Sequence, residues 1–196
     1  SHGQIYLDGH PINGFPLARL REKVCLVLQD PFLFADSLGD NIAYDNPGRD
    51  PSEILEITKA AALDDTVEGF PEGLDTILGE RGVTLSGGQK QRTALARGLI
   101  RQSPILILDD CFSAVDTETE ERILFGLKQM RKNSTTLLVS HRVSTARHAD
   151  RIMVLEHGEI KEIGTHNELL NLGGFYANLE LAQRNTEDKP KPRRLG

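Results

Sequence analysis

Three apolar runs of this sequence end in polar residues that could carry out chemistry. The first run ends at the amide of Gln29, and the second ends at the paired carboxylates of Asp109 and Asp110. The third ends at the imidazole of His141. Each polar residue could simply begin a loop, where polar side chains are common. Because ligands of open α/β sheets bind at the carboxyl ends of the strands, the agreement among three runs favours one shared site.

The side chains of this predicted site suit phosphoryl transfer. Mg²⁺ prefers hard oxygen ligands and is often held by one carboxylate together with substrate phosphates, a role that Asp109 could fill. The neighbouring carboxylate of Asp110 could orient or deprotonate an attacking water. His141 could contact the transferring phosphoryl group and sense its loss.

The segment Leu85–Gln89 has the sequence Leu-Ser-Gly-Gly-Gln and precedes a predicted helix. Ser86 and Gln89 alone would form a capping box, in which each side chain binds the backbone N–H of the other residue. Capping does not explain two consecutive glycines, which weaken a helix start entropically. Glycines also let an anion approach the N–H groups at a helix start. The cations Lys90 and Arg92 oppose the helix dipole unless a polyanion binds there, so we favour phosphate contact.

Alternating strands and helices position these residues, which predicts an α/β fold with a mainly parallel sheet. Asp50 and Glu53 predict a capping box around a helix that begins at Pro51. The predicted strands are residues 4–8, 23–29, 105–108 and 135–140, with the last three buried, followed by a C-terminal β-hairpin at 151–163; a helix is predicted at about 90–102.

The 196 residues suit one globular domain with a sizeable core. Residues 51–102 carry helical patterns without a clear strand, which predicts a helical subdomain inserted into a core of residues 1–50 and 103–183. Residues 184–196 are polar, charged and contain proline, which predicts a flexible tail.

Composition argues against several classes of protein. The formal net charge of −6 disfavours binding of nucleic acid through bulk charge. No apolar run approaches the length of a membrane span. Cys25 and Cys111 do not suggest a disulfide framework, which fits a reducing, cytosolic location. Cys111 could be a nucleophile, but no base partner at a known spacing supports that role. The other histidines show no metal-ligand pattern and are expected at the surface: His2, His10, His148, His157 and His166.

Taken in order along nearly the whole chain, these motifs resemble the nucleotide-binding domains of ATP-binding cassette (ABC) transporters. Gln29 matches the Q-loop glutamine, Leu85–Gln89 the family signature, and His141 the switch histidine. Ile105–Asp109 matches the Walker B strand with its aspartate, and Ser113, Ala114, Val115 and Asp116 match the D-loop.

Other segments resemble the exporter branch of this family. Thr76–Gly82, with Glu80, is similar to the X-loop, which touches the coupling helices of the transmembrane domain. The remaining matches are Phe32, Leu33 and Phe34 with Asn41 and Ile42, and Gly164, Thr165 and His166 with Glu168, Leu169 and Leu170.

The resemblance implies a P-loop-NTPase-like, RecA-like ATPase core that binds ATP and Mg²⁺ at the cytoplasmic face of a membrane. Asp109 and Gln29 would lie at the metal, and Asp110, His141 and Gln29 would act in hydrolysis. The expected partners are the transmembrane domain of an exporter half-transporter and a second nucleotide-binding domain, with no nucleic acid. The signature would complete the ATP site of that second domain through Leu85, Ser86, Gly87, Gly88 and Gln89.

Two departures from the family pattern matter. The P-loop motif Gly-x-x-x-x-Gly-Lys-Ser/Thr does not occur in the sequence. In relatives it lies upstream of the segment that matches Gly3–Gly9, so we expect the chain to begin after the P-loop strand and helix and to be inactive alone. Walker B is usually followed by glutamate, whereas Asp110 is one methylene shorter, and misplacement by about 1 Å can cost on the order of 100-fold in rate.

Asp110 therefore favours a heterodimer in which the chain's own site is degenerate, with a homodimer in which aspartate suffices as the alternative. A non-transport ABC ATPase acting on DNA or ribosomes is a second hypothesis. DNA-repair types carry a long coiled coil between Q-loop and signature, but Gln29 and Ser86 are only 57 positions apart. Ribosome types carry two cassettes on one chain, whereas this sequence matches part of one cassette. A catalytically inactive structural fragment is the third hypothesis, and the segment around Glu80 favours the exporter.

Overall fold

The computed structural model of the chain describes residues 3–79 and 82–187. Within these residues the polypeptide forms two compact units, divided in the sequence between Leu137 and Leu138. The predicted assignment of 1–50 with 103–183 to a core and of 51–102 to a subdomain stays a prediction.

Strands of the first unit carry the predicted parallel sheet, although the last of them crosses the unit boundary. They are β1 (Tyr6–Leu7), β2 (His10–Pro11), β3 (Val24–Val27), β4 (Ile105–Asp109) and β5 (Thr135–Val139). β1 and β2 form an antiparallel hairpin. The larger sheet has the order β3-β4-β5, and β3 runs parallel to β4 with Val27 opposite Leu108. The α/β fold class is confirmed.

Only one face of this sheet is covered within the described chain. Cys25 and Val27 on β3 are buried, whereas Leu26 between them is 52% exposed. This alternation follows from the two-residue period of a strand. The prediction that β5 is buried is wrong, because Leu137 and Val139 are 54% and 42% exposed. An apolar run indicates a strand but does not show that both of its faces are covered, and β5 is the edge of the order β3-β4-β5.

The central helix of the first unit is α5 (Gly87–Ile100), which packs against β3. It begins three residues before the predicted Lys90, since Ser86 is its N-cap and Gly87 its first helical residue. Gly98 allows close approach to the sheet, because a Cβ at this position would lie 2.6 Å from Val27 Cγ2. The other helices of this unit are α1 (Leu17–Lys23), α2 (Leu38–Ile42), α3 (Pro51–Ala60), α4 (Asp64–Glu68) and α6 (Thr117–Met130).

Acidic N-caps begin two of these helices. Asp50 accepts from the Ser52 N–H at the start of α3, with proline at the first helical position. The predicted closing partner Glu53 instead binds the Arg49 guanidinium at 3.2 Å. Asp116 caps α6 by accepting from the Thr119 N–H at 2.9 Å.

The second unit is built on the predicted C-terminal hairpin. Its elements are α7 (Val143–Ala146), β6 (Ile152–Glu156), β7 (Glu159–Gly164), α8 (His166–Leu172) and α9 (Phe175–Glu187). β6 and β7 are antiparallel. Their turn places His157 and Gly158 at φ of 50° and 80°. The core of this unit contains Val143, Ile152, Val154, Leu169 and Tyr176.

Helix α9 begins beside a carboxylate of β7. Glu162 accepts from the backbone N–H of Phe175 at 2.5 Å and of Tyr176 at 3.0 Å, which binds two N–H groups that a helix start leaves without an intrahelical partner. The helix extends to Glu187 and so includes the first four residues of the predicted tail. Among the described residues, no helix combines the length and apolar character needed to cross a membrane.

Candidate functional site

The start of α5 carries the segment Leu85–Gln89, and its capping box is formed. Ser86 Oγ accepts from the Gln89 N–H at 3.3 Å, and Gln89 Oε1 accepts from the Ser86 N–H at 2.9 Å. Leu85 is buried and anchors the segment, while Ser86 and Gly87 are exposed. A helix start of this kind presents backbone N–H groups and a positive dipole end to solvent.

The two glycines have a packing role that the sequence did not reveal. A Cβ on Gly88 would lie 2.7 Å from the Ala114 carbonyl oxygen, and a Cβ on Gly87 would lie 3.3 Å from Ala114 Cβ. Glycine is therefore required for the turn at residues 113–115 to pack on the start of α5. Packing against Ala114 accounts for both glycines without a ligand, and phosphate contact stays a prediction.

The two cations after this segment differ in burial. Lys90 is exposed, and Arg92 is half-buried. Burial lowers the pKa of Arg92, and the charge of Asp116 opposes that shift. The pKa of Arg92 stays lowered despite the nearby carboxylates, and contact of this cation with a polyanion stays a prediction.

Gln91 ties three segments together, and sequence analysis did not single it out. Its Nε2 donates to Ser113 Oγ at 2.8 Å and to the Gln29 carbonyl at 3.2 Å. Its Oε1 accepts from the Ala114 N–H at 2.9 Å. The side chain is only 6% exposed. Gln91 lies on a helix face that otherwise carries Ala94, Leu95 and Gly98. A polar residue in such a position indicates a buried hydrogen-bonding role and could have been noticed in the sequence.

The carboxyl ends of β3 and β4 bring Gln29, Asp109 and Asp110 to one edge of the sheet. Val27 pairs with Leu108, so Gln29 and the two aspartates follow at neighbouring strand ends. Asp109 and Asp110 are half-buried and Gln29 is exposed. Asp110 adopts a left-handed backbone conformation with φ of 43°, which Asp tolerates better than most residues and which turns the chain after β4.

The neighbouring thiol does not suit nucleophilic chemistry. Cys111 is 1% exposed, and burial raises its pKa to about 12, with the charges of Asp110 and Asp109 acting in the same direction. Because the thiolate is the nucleophile, this cysteine is inert at neutral pH. Cys25 and Cys111 are both free and buried, which agrees with the expected lack of a disulfide framework.

The predicted His141 lies in the second unit and is exposed. Gln183 on α9 holds this segment, since its Nε2 donates to the His141 carbonyl and its Oε1 accepts from the Val143 N–H, both at 2.8 Å. The placement of the imidazole beside Asp109 stays a prediction. Within residues 3–79 and 82–187, no group of three or more His, Cys, Asp and Glu residues could hold a metal ion.

Comparison with known proteins identifies the family. Residues 1–113 match the family described as ABC transporter. The chain belongs to the ABC transporter family. It is 44% identical over 195 residues to the "Uncharacterized ABC transporter ATP-binding protein YknU" of Bacillus subtilis (strain 168), covering 99% of this chain and 33% of that protein. It is 46% identical over 184 residues to the "ATP-dependent lipid A-core flippase" of Legionella pneumophila (strain Paris), covering 94% of this chain and 31% of the flippase.

A solved ABC exporter shares the fold. The chain superposes on the "Structure of a bacterial Atm1-family ABC exporter with ATP bound" with a TM-score of 0.88 and 41% sequence identity, covering 93% of this chain and 32% of that one. The resemblance to ABC exporters is confirmed. The chain spans about a third of the length of the curated relatives it matches.

The structure describes the exporter-like segment Phe32–Phe34 in full but leaves out part of the exporter-like segment Thr76–Gly82. Glu80, the predicted coupling residue, lies outside the described residues. Next to it, Leu78 forms a bridge with Val83. The exporter-like aromatic segment at Phe32–Phe34 is held by Arg97, whose guanidinium donates to the Phe32 carbonyl at 2.8 Å and to Asn41 Oδ1 at 2.8 Å.

Proposed function

We propose that this chain acts in the ATPase domain of an ABC exporter half-transporter, where it couples ATP binding and hydrolysis to export across a membrane. The observation that carries the proposal is the common sheet edge of Gln29, Asp109 and Asp110, in a chain that shares the fold of an ATP-bound exporter. The names of the relatives, an exporter and a flippase, support transport over action on DNA or ribosomes.

Asp109 would hold Mg²⁺ at the end of β4. A half-buried carboxylate at a strand end offers the hard oxygen that Mg²⁺ prefers. The metal would neutralise charge on the phosphates of ATP. Gln29 is exposed, and its backbone is anchored through the carbonyl bonded to Gln91, so its side chain is available to face the same site. Asp110, the next residue, would orient the attacking water, and His141 would contact the transferred phosphoryl group.

The start of α5 would serve the ATP of a second nucleotide-binding domain. Its exposed N–H groups and the positive helix end suit phosphate, and Ser86 borders them. The D-loop at Ser113–Asp116 packs on this helix start through Ala114, so both elements would present one surface to the partner domain.

A groove on the first unit would receive the transmembrane domain. It is lined by aromatic and aliphatic side chains that include Phe32, Phe34, Leu78 and Leu85, together with Lys90. An apolar groove with a cation at its margin suits a short helix that carries apolar and acidic side chains.

We further propose that the transporter is an asymmetric heterodimer. Asp110 stands where the family usually has glutamate, so the site built on this chain would hydrolyse ATP slowly. The signature Leu85–Gln89 is complete and would serve a fast site on the partner. The partner would carry the Walker B glutamate and an altered signature.

Substitution of Asp110 in the full-length transporter, purified with its partner, tests both proposals. The parent should hydrolyse Mg-ATP, Asp110→Asn should cost less than about twofold because the partner carries the main base, and Asp110→Glu should raise turnover. Loss of nearly all turnover in Asp110→Asn would show that Asp110 is the main catalytic carboxylate and that the asymmetric scheme is wrong. A folded parent with no ATP hydrolysis would contradict the ATPase function itself.

A further inference from the structure

Gln91 is a buried amide whose three hydrogen bonds join three different segments. One segment is the Q-loop at Gln29, and another is the D-loop at Ser113 and Ala114. The third is its own helix α5, which begins with the signature. The Gln91 side chain is more than nine-tenths buried, so each polar atom without a partner would carry a desolvation cost.

The partners fix the orientation of this amide. The Ala114 N–H is a donor and therefore requires the amide oxygen of Gln91. The Gln29 carbonyl is an acceptor and therefore requires the amide nitrogen, whose second proton goes to Ser113 Oγ. A flipped amide would set donor against donor and acceptor against acceptor. The three hydrogen bonds therefore hold the backbones of the Q-loop and the D-loop each at a fixed distance from α5.

These segments face different nucleotides under the proposed function. Gln29 belongs to the site built on this chain, whereas the start of α5 and the D-loop face the site completed with the partner domain. The bonds of Gln91 join residues that are 62 and 22 positions away in sequence, so no local structure would replace them.

We propose that Gln91 is a positioning residue that links the two ATP sites by making the Q-loop, the D-loop and the signature helix move as one body. The proposal rests on the proposed function, since it assigns the Q-loop and the signature to different ATP molecules. A shift of Gln29 when its nucleotide is hydrolysed would displace Ser113 and Ala114 through this amide. Gln91 itself touches no nucleotide in this scheme.

The test is steady-state ATPase activity of the full-length transporter with its partner. Gln91→Leu removes all three bonds, Gln91→Glu keeps the acceptor for Ala114 but loses the donors, and Ser113→Ala removes one bond. Thr58→Val is the control, because Thr58 is a buried polar residue of α3 whose hydroxyl binds only the local Leu55 carbonyl at 2.8 Å among the bonds described. Thermal unfolding is measured for every variant.

Gln91→Leu should lower kcat by at least about tenfold with KM for ATP within about twofold, because misplaced groups slow chemistry more than they weaken binding. Gln91→Glu should also lower kcat, but by a smaller factor than Gln91→Leu. Ser113→Ala should cost much less in the Gln91→Leu background than in the parent, since both changes break one linkage.

A kcat for Gln91→Leu equal to that of Thr58→Val would overturn the proposal. A double variant whose loss of kcat equals the product of the losses in Gln91→Leu and Ser113→Ala would also overturn it. If Gln91→Leu does not fold, Gln91→Glu and Ser113→Ala carry the same comparison. A parent that hydrolyses no ATP would instead refute the proposed function, so the two failures are distinguishable.

Discussion

Helices α5 and α8 begin with the same local device in two different surroundings. At α5, Ser86 and Gln89 exchange bonds of 3.3 and 2.9 Å. At α8, Thr165 and Glu168 exchange bonds of 3.3 and 2.8 Å. Both boxes satisfy backbone N–H groups that a helix start otherwise leaves without partners.

What surrounds the two boxes differs. The first helical positions of α5 are glycines packed under Ala114. Those of α8 are His166 and Asn167, and His166 Nδ1 lies 2.9 Å from the hydroxyl of the buried Tyr176. The α8 box therefore closes a helix onto its own core, whereas the α5 box supports a turn of the D-loop. A capping motif alone does not distinguish these roles, but the residues packed against it do.

The largest expected difference in stability comes from the second helical position. Gly88→Ala places a Cβ 2.7 Å from the Ala114 carbonyl oxygen, so we expect it to destabilise the chain by about 1–3 kcal/mol despite the better helix propensity of alanine. Asn167→Ala is the matched change at the exposed second position of α8 and should alter stability by less than about 0.5 kcal/mol. Urea unfolding of both variants measures this.

Equal free energies of unfolding for the two alanine variants would show that the Ala114 carbonyl does not exclude a Cβ at position 88. The comparison also bears on mutagenesis of the signature. A bulky residue at Gly88 would displace the D-loop within its own chain, so a loss of activity in such a variant would not by itself show contact with nucleotide.

The two boxes should also differ in their response to acid. Hydrogen bonds from the Thr165 backbone and side chain lower the pKa of Glu168. A carboxylate whose pKa is lowered in the folded state contributes stability above its unfolded pKa and loses it as the pH falls through the folded value. The α8 box should therefore weaken only below the ordinary pKa of glutamate, while the amide Gln89 at α5 does not titrate.

Nuclear magnetic resonance of the Thr165 and Ser86 amide protons follows this difference. Thr165 should show a transition with a midpoint below the ordinary glutamate value, and Glu168→Gln should remove it. The chemical shift of the Ser86 amide proton should show no titration from its capping box over the same pH range, because Gln89 does not ionise. A Thr165 midpoint at or above the ordinary value would contradict the bonded carboxylate.

Features that depend on neighbouring residues could be predicted from the sequence. The capping box of Ser86 and Gln89, the C-terminal hairpin and the parallel strands follow from local pattern and were confirmed. The box predicted at Asp50 and Glu53 was wrong in its second partner, because Glu53 binds Arg49. The strands that end at Asp109 and before Gln29 follow from apolar runs and the polar residues after them, and the structure places both residues at one sheet edge.

Features that depend on distant contacts were missed. The need for Gly88 comes from Ala114, and the role of Gln91 comes from bonds across 22 to 62 positions of sequence. The exposure of Leu137 on β5 was also missed, because an apolar strand does not reveal which of its faces a neighbour covers. His141 lies in the second unit, and its predicted role stays a prediction.

The central claim is that the start of α5 meets nucleotide phosphate in addition to being capped. Ser86→Asp and Ser86→Asn test it, because Asp and Asn are both good N-caps, but only Asp places a negative charge beside the phosphates. Thr165→Asp and Thr165→Asn are the matched pair at α8.

The measurement is ATP turnover of the full-length transporter, with thermal unfolding to confirm that each cap is kept. Ser86→Asn should retain most of the turnover, and Ser86→Asp should lose on the order of 100-fold through charge repulsion. Both Thr165 variants should match the parent. If Ser86→Asp turns over ATP as fast as Ser86→Asn, this segment only caps its helix and the claim is wrong.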